Sequence, residues 1–399
     1  MCKENAKMML PNRWKKVGLF DVVSIESTLV DPKKEPYSEM NLIAPDHIQS
    51  ETGVVLAHVP AKEQHAISGK YLVKKGDVIY SKIRPYLKKA CRATEECLCS
   101  ADMYPFTVLD QMDASYLLHM LLSETFTKYV NTCSARTGIP KINREDLALF
   151  QFCLPPLEEQ KKIAATLSVW DSAIEKMEKL IDAKESLLTE YGKELFGRTE
   201  QKQNENWSAI ALSDVLNEHG DKSTGKEEVF SVSVHKGLVN QIEHLGRSFA
   251  AKDTSNYNRV HYGDIVYTKS PTGDFPLGIV KQSLIKEDVI VSPLYGVFTP
   301  KTFELGSILD FYFSSPINAN NYLHPVAQKG AKNTINITNK KFLSAKLRLP
   351  IDVKEQKKIA QFVQTTKKEM AVLQEILENY KKQKQGLMQK LLTGQWRVK

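Results

Sequence analysis

Glu159-Gln160-Lys161-Lys162-Ile163-Ala164 returns 196 residues later as Glu355-Gln356-Lys357-Lys358-Ile359-Ala360. An identical hexapeptide at that distance reads as an internal repeat, and two further matches keep the same order. Gly76-Asp77-Val78-Ile79-Tyr80-Ser81-Lys82 is matched by Gly263-Asp264-Ile265-Val266-Tyr267-Thr268-Lys269 at an offset of 187. Trp14, Leu19 and Asp21 match Trp207, Leu212 and Asp214 at an offset of 193. Loop insertions make offsets drift in this way. The 399-residue chain is a duplication over nearly its whole length.

The residues that follow each hexapeptide predict a long helix. Ile163, Leu167, Trp170, Ile174, Met177, Ile181, Lys184, Leu188, Tyr191 and Leu195 step by four and three throughout. In the second copy the same positions hold Ile359, Val363, Thr366, Met370, Leu373, Leu377, Tyr380, Lys384, Leu387 and Leu391. A mostly apolar stripe sustained over about four heptads is a coiled-coil seam. Pro155, Pro156 and Pro350 stop the chain before each helix, and Gly197 and Gly394 suit its end. Gly386 is a weak point, costing about 1 kcal/mol relative to Ala.

These signals give an α+β chain in four parts: a mixed α/β module over 1–157, a spacer helix over 158–198, a linker and second module over 199–351, and a second spacer helix over 352–399. Within the modules, Tyr71–Val73 and Val78–Ser81 predict a hairpin around Gly76-Asp77. Tyr116–Tyr129 and the region near Ile308–Tyr322 have helical spacing. Lys141–Asn143 and Thr334–Thr338 lead into short strands ending at Leu154 and Leu349. A helix of about 40 residues is about 60 Å long and needs a partner for its seam. The second helix supplies one if it returns antiparallel, which would relate the modules by a pseudo-twofold axis. Two similar but diverged readers on one spacer suit two different half-sites, hence an asymmetric site on a polymer.

The composition is ordinary for a soluble globular protein, with 42% hydrophobic and 26% charged residues. No apolar run is long enough to span a membrane and no secretory signal is visible, so a cytoplasmic protein is expected. All six cysteines lie in the first half, without metal-ligand spacing, and read as reduced structural thiols. The net charge of +8 is unevenly placed: +2 over 1–157, −2 over 158–198, +2 over 199–351 and +6 over 352–399. Acid-free basic stretches are the candidates for a phosphate-facing surface. One is Lys82, Arg84, Lys88, Lys89 and Arg92. A second, between Glu124 and Glu145, holds Lys128, Arg136, Lys141 and Arg144. A third, between Asp310 and Asp352, holds Lys329, Lys332, Asn333, Lys340, Lys341, Lys346 and Arg348. Lys82 and Lys269 hold the same place in the two copies, and Arg136 and Lys329 enter equivalent loops. Lys222 and Lys226 add a basic loop.

Catalytic constellations are missing. Gly220-Asp221-Lys222-Ser223-Thr224-Gly225-Lys226-Glu227 nearly matches a phosphate-binding loop, but Glu227 stands where Ser or Thr should hold Mg²⁺, and a strand follows where a helix is needed. Glu159 and Glu355 begin helices, where the dipole favours a carboxylate. The nine histidines are scattered, His119 falls on a helix face, and no triad, metal site, S-adenosylmethionine loop or Asn-Pro-Pro-Tyr motif is found.

The run Thr137-Gly138-Ile139-Pro140-Lys141-Ile142-Asn143, followed by Leu154-Pro155-Pro156-Leu157-Glu158-Glu159-Gln160-Lys161-Lys162-Ile163-Ala164, resembles a target-recognition domain entering its spacer helix. The family is that of the specificity subunits of type I restriction-modification enzymes, and the likeness covers essentially the whole chain. The second copy, Leu349-Pro350-Ile351-Asp352-Val353-Lys354-Glu355-Gln356, departs at the second proline. The resemblance implies a non-catalytic subunit that binds double-stranded DNA. It would direct two methyltransferase subunits and two restriction and motor subunits, with S-adenosylmethionine, ATP and Mg²⁺ bound on those partners. Three other readings are a stand-alone DNA-binding regulator, an arm of a single-chain restriction enzyme and a coiled-coil adaptor.

Overall fold

The computed structural model describes residues 11–25, 28–134, 139–197, 206–245, 253–329 and 335–398. The chain divides into two compact units, Met1–Lys179 with Glu375–Lys399, and Leu180–Gln374. Both are built on one plan, of helices and mainly antiparallel strands.

In each unit the first and last strands of the module close on each other. Lys15–Gly18 pairs antiparallel with Gln151–Leu154, and Trp207–Ala211 with Lys346–Pro350. Proline, which has no N–H to donate, ends the ladder there. The 40-residue helices Leu157–Phe196 and Val353–Leu392 follow. At the centre of each module is a four-stranded antiparallel sheet. Its order in the first unit is Val23–Ile25, Met103–Val108, Val78–Ser81, Ala90–Arg92, and in the second Leu216–Glu218, Gly296–Pro300, Ile265–Tyr267, Val280–Gln282. The repeated runs Val78-Ile79-Tyr80 and Ile265-Val266-Tyr267 are buried throughout, which is why both read as continuous apolar stretches.

The hairpin expected around Gly76-Asp77 does not form. Lys70–Val73 pairs with Leu29–Val30 and Cys97–Cys99, whereas Val78–Ser81 belongs to the central sheet. The turn therefore carries the chain from one sheet to another. Gly76 supplies φ of +98°, and the Asp77 carboxylate accepts the Lys74 N–H at 3.0 Å. Gly76 N–H donates to Ala93 O at 2.9 Å and Ala93 N–H to Asp77 O at 2.8 Å. The second unit repeats the device: Gly263 has φ of +92°, Asp264 accepts the His261 N–H at 2.8 Å, and Gly263 and Ser283 make the paired bonds at 2.8 and 2.7 Å with Ser283 and Asp264.

The helical stretch after the sheet is two helices in each unit, Ala114–Leu122 with Glu124–Ser134, and Phe303–Phe313 with Pro316–Leu323. Serines make the breaks: Ser123 Oγ accepts Phe126 N–H, and Ser315 Oγ accepts Asn318 N–H ahead of Pro316.

The repeated hexapeptide fastens each module to its helix. Trp14 Nε1 donates to Glu159 at 3.1 Å and Trp207 Nε1 to Glu355 at 2.7 Å. The Gln160 amide donates to Pro155 O and accepts the Asp113 N–H, both at 2.9 Å. The Gln356 amide donates to Pro350 O at 2.9 Å and accepts from Thr302 Oγ1 at 3.2 Å. Each glutamine thus joins the end of the last strand to the start of the helix pair.

Within each unit the start of one spacer helix or its end meets the opposite part of the other, running antiparallel. In the first unit Trp170 meets Tyr380 edge-on at 5.5 Å, Lys384 pairs with Asp171, and Lys381 pairs with Glu178 at 2.8 Å. In the second, Tyr191 meets Phe362 at 4.6 Å and Lys184 pairs with Glu369 at 2.6 Å. Lysines at two seam positions thus find carboxylates on the opposite helix, a register device rather than a source of stability. Ile163, Leu167, Ile174, Ile181, Leu188, Ile359, Val363, Leu377 and Leu391 are buried, while Trp170, Met177, Met370, Leu373 and Leu387 are half-buried. Each fully buried aliphatic side chain contributes about 1.5–3 kcal/mol. The first unit's core joins module residues such as Phe126 and Phe150 to Ile163, Leu167, Met388 and Leu391. The second joins Phe298 and Phe342 to Leu188, Ile359 and Val363.

Gly394 ends the second helix in a left-handed conformation, φ +74°. Gly197 instead keeps a helical bond, its N–H donating to Lys193 O at 2.8 Å. A Cβ at Gly386 would meet nothing within 4 Å, so that glycine answers no packing need.

Candidate nucleic-acid interface

In the first unit the chain leaves Val78–Ser81 into a basic loop that is tied to the segment before the last strand. Ile142 N–H donates to Lys82 O at 2.9 Å, and Arg84 N–H to Pro140 O at 2.7 Å. Asn143 then caps the short helix Arg144–Ala148, its side chain accepting the Asp146 N–H at 2.7 Å. These bonds bring Lys82, Lys141 and Arg144 together from two distant stretches. Lys82 Nζ stands 5.3 Å from the Tyr104 ring centroid and the Arg144 guanidinium 5.9 Å from it. Burial lowers the Lys82 pKa, and the charges of Lys141 and Arg144 push it the same way, against the opposing pull of Asp102. Among the described residues none of the three makes an ion pair within 4.0 Å, so the cluster is a concentration of positive charge open to an anion. Arg84 is exposed in a left-handed conformation, φ +48°, next to Tyr86, whose ring is 51% exposed. Sequence reasoning missed Tyr86 and Tyr104. An exposed aromatic flanked by cations was the signal available.

Other basic residues of that loop are engaged elsewhere. Lys88, also left-handed at φ +48°, pairs with Glu51 at 3.0 Å and with Glu124, and its side chain is only 11% exposed. Lys89 Nζ donates to Pro45 O at 2.6 Å. Arg92 is exposed and reaches Ser115 Oγ at 3.2 Å. Arg136, Lys332 and Asn333 lie outside the described residues, and Lys329 ends the strand Gln328–Lys329, which pairs with Ile335–Asn336.

The second unit has different chemistry at the equivalent place. Lys269 adopts φ of +60°, and burial lowers its pKa while the Glu218 charge raises it. Asn339 Nδ2 donates to Glu218 at 2.5 Å, and Lys340 follows, exposed. Lys226 is exposed, while Lys222 Nζ donates to Asn258 Oδ1 at 2.6 Å. The near-match to a phosphate loop is filled by its own side chain. Glu227 accepts Thr224 N–H at 2.9 Å, Thr224 Oγ1 at 2.7 Å and Ser223 Oγ at 3.1 Å. Desolvation raises its pKa, but these hydrogen bonds outweigh it and bring it to about 2.

The five described cysteines are free thiols, and burial pushes Cys91 and Cys97 up to about 12. His119 is buried against the first spacer helix. The histidines are not all scattered in space: His219 and His261 come together with Asp221 in the second unit. Among the described residues no helix is long and apolar enough to cross a membrane.

Comparison with known proteins bears on the chain as a whole. The family described as "Type I restriction modification DNA specificity domain" matches twice, over residues 11–185 and 204–381. The type I restriction enzyme EcoDI specificity subunit of Escherichia coli is 38% identical over 154 residues, 39% of this chain and about a third (34%) of the relative's length. The MjaVIII specificity subunit of Methanocaldococcus jannaschii is 27% identical over 317 residues, 72% of this chain and 71% of that one. A type I restriction-modification S subunit from M. genitalium shares the fold with a TM-score of 0.63 at 15% identity, covering 98% of both chains. A chain from a structure titled as the complex assembly and conformational transition of the type I R-M system aligns at 0.53 and 19% identity, over 97% of this chain and 99% of that one.

Proposed function

The chain belongs to the type I restriction-modification DNA specificity family, and from that membership we propose that it reads an asymmetric two-part site in double-stranded DNA. Each module reads one half. One observation carries the asymmetry: Lys82 and Lys269 follow equivalent strands of the two central sheets, yet Lys82 lies among Lys141, Asp102 and Arg144, two cations to one acid, whereas Glu218 is the charge that acts on Lys269. Equal scaffolds with unequal chemistry at equivalent loops select unequal partners. Lys82, Lys141 and Arg144 meet phosphates in this reading, and Arg84 and Tyr86 stand ready beside them. Exposed Lys226 and Lys340 serve the second half-site.

The chain performs no chemistry itself. It confers its specificity on two methyltransferase subunits, and with two restriction and motor subunits the assembly acts on unmodified DNA. S-adenosylmethionine, ATP and Mg²⁺ belong to those partners. The paired helices set the unread gap between the half-sites.

Replacing 1–157 with the first module of another family member, in a strain carrying the partner methyltransferase, tests the reading by methylome sequencing. One half-site changes and the other stays. A change in both halves, or in neither, overturns it.

A further inference from the structure

We propose that His219, Asp221 and His261 form a binding site for one divalent transition-metal ion, with zinc the best fit. The three residues come from two separate segments of the second unit. His219 and Asp221 follow the strand Leu216–Glu218, and His261 follows Asn258–Val260. One ligand atom from each lies within 4.8 Å of the other two. Asp221 Oδ2 is 3.0 Å from His261 Nε2 and 3.8 Å from His219 Nδ1. Zinc bonds of about 2.0–2.2 Å put tetrahedral donors roughly 3.4 Å apart, between those two distances.

The surroundings are those of a ligand set. A metal-binding histidine usually gives its second ring nitrogen to a carboxylate, which fixes the tautomer and the aim of the ring. Both histidines have that partner: His219 Nε2 meets Asp264 Oδ2 at 2.9 Å, and His261 Nδ1 meets Asp288 Oδ1 at 2.8 Å. Asp264 is itself held by His261 N–H and by Thr299 Oγ1, each at 2.8 Å. Both rings thus turn their other nitrogen toward the Asp221 carboxylate. His219 Nδ1 is buried and makes no hydrogen bond, a rare state that an ion would relieve. Arg259 stands 4.0 Å from Asp221 and from Asp288, one cation against the three carboxylates of Asp221, Asp264 and Asp288. Two imidazoles and a carboxylate are borderline ligands that suit zinc, with a fourth position left for water.

The site belongs to one repeat. Asp264 has its equal in Asp77, which caps the same turn, but Lys74 stands where the second copy has His261. The ion would pin the loop carrying Lys222 and Lys226 to the strands Asn258–Val260 and Val289–Val291.

Zinc titration of the metal-free full chain, by calorimetry and by thermal melting, is the test. One ion binds per chain and raises the melting temperature. His219→Ala and His261→Ala each weaken binding by tenfold or more, and the double variant shows no zinc-dependent rise in melting. Asp288→Asn, which touches no ion, weakens binding on the order of 10-fold through His261. Cobalt bound to the same chain gives the visible bands of a tetrahedral site, and these disappear in the double variant. No saturable zinc binding by the unaltered chain, or equal binding by the folded double variant, overturns the proposal.

Discussion

The indole N–H of Trp14 donates to the carboxylate of Glu159 across 145 residues of chain, and both oxygens of that carboxylate also take Arg397, each at 2.7 Å. Three remote stretches therefore meet on one side chain that is 9% exposed. Glu159→Ala leaves a buried indole donor and a guanidinium without their acceptor. A loss of about 2–3 kcal/mol is expected in the first unit. Chemical denaturation measures it, and hydrogen exchange shows whether the loss stays in the first unit. Glu159→Gln, which can still accept one bond, loses less.

Lys82 and Lys88 are six positions apart, and the proposed function gives only Lys82 a phosphate to meet. On that reading Lys82→Ala lowers the salt slope of DNA binding by about one and weakens all sequences alike. Lys141→Ala and Arg144→Ala do the same. Lys88→Ala leaves the slope unchanged and lowers stability, because Glu51 and Glu124 lose their cation. Fluorescence anisotropy across a salt series separates the two. A slope change for Lys88→Ala, or none for Lys82→Ala, contradicts the assignment.

His119 gives the first unit an acid-sensitive point. Burial lowers its pKa from 6.5 to about 4, against the attraction of Asp171 and with the repulsion of Lys384 adding to it. The unfolded chain takes up the proton first, so stability is full above about pH 6.5. It falls as the pH drops through that value, and the fall ends near pH 4, at about 3 kcal/mol. His119→Gln cannot take up that proton, so its stability curve is flatter between pH 7 and 4. Equal slopes for the two proteins dismiss the idea.

Lengthening the helices tests their role in spacing. Phe196 is the wrong place to insert, because its ring packs on Trp207, Phe311 and Tyr312 in the second unit's core. Four residues added to both helices, after Lys179 and after Gln374, add about 6 Å. The expected result is an unread gap longer by one to two base pairs, with both half-sites unchanged. Methylome sequencing reads the outcome, and an unaltered gap at full activity removes the helices from that role.

The repeat and the helix seams were legible because they are patterns along one dimension. Ile163 to Leu195 states its period in the sequence, and burial follows it. The Gly76-Asp77 turn was misread because a glycine and a capping aspartate look alike whether the flanking strands pair or part. Lys88 stands in an acid-free stretch of sequence, whereas its partners Glu51 and Glu124 arrive from other segments. Glu227 disqualified the phosphate loop by its type, but nothing in the sequence said that it would occupy the loop. His219 and His261 are too far apart for any ligand spacing, and only the fold joins them.

Residues 375–398 complete the core of the first module through Met388 and Leu391, although they follow the whole of the second module in the sequence. The module translated first therefore has part of its native apolar surface uncovered by these residues until the second has been made. A frameshift or nonsense mutation late in the coding sequence is then a lesion of the first module. Its signature would be failure to read the half-site assigned to the opposite end of the polypeptide.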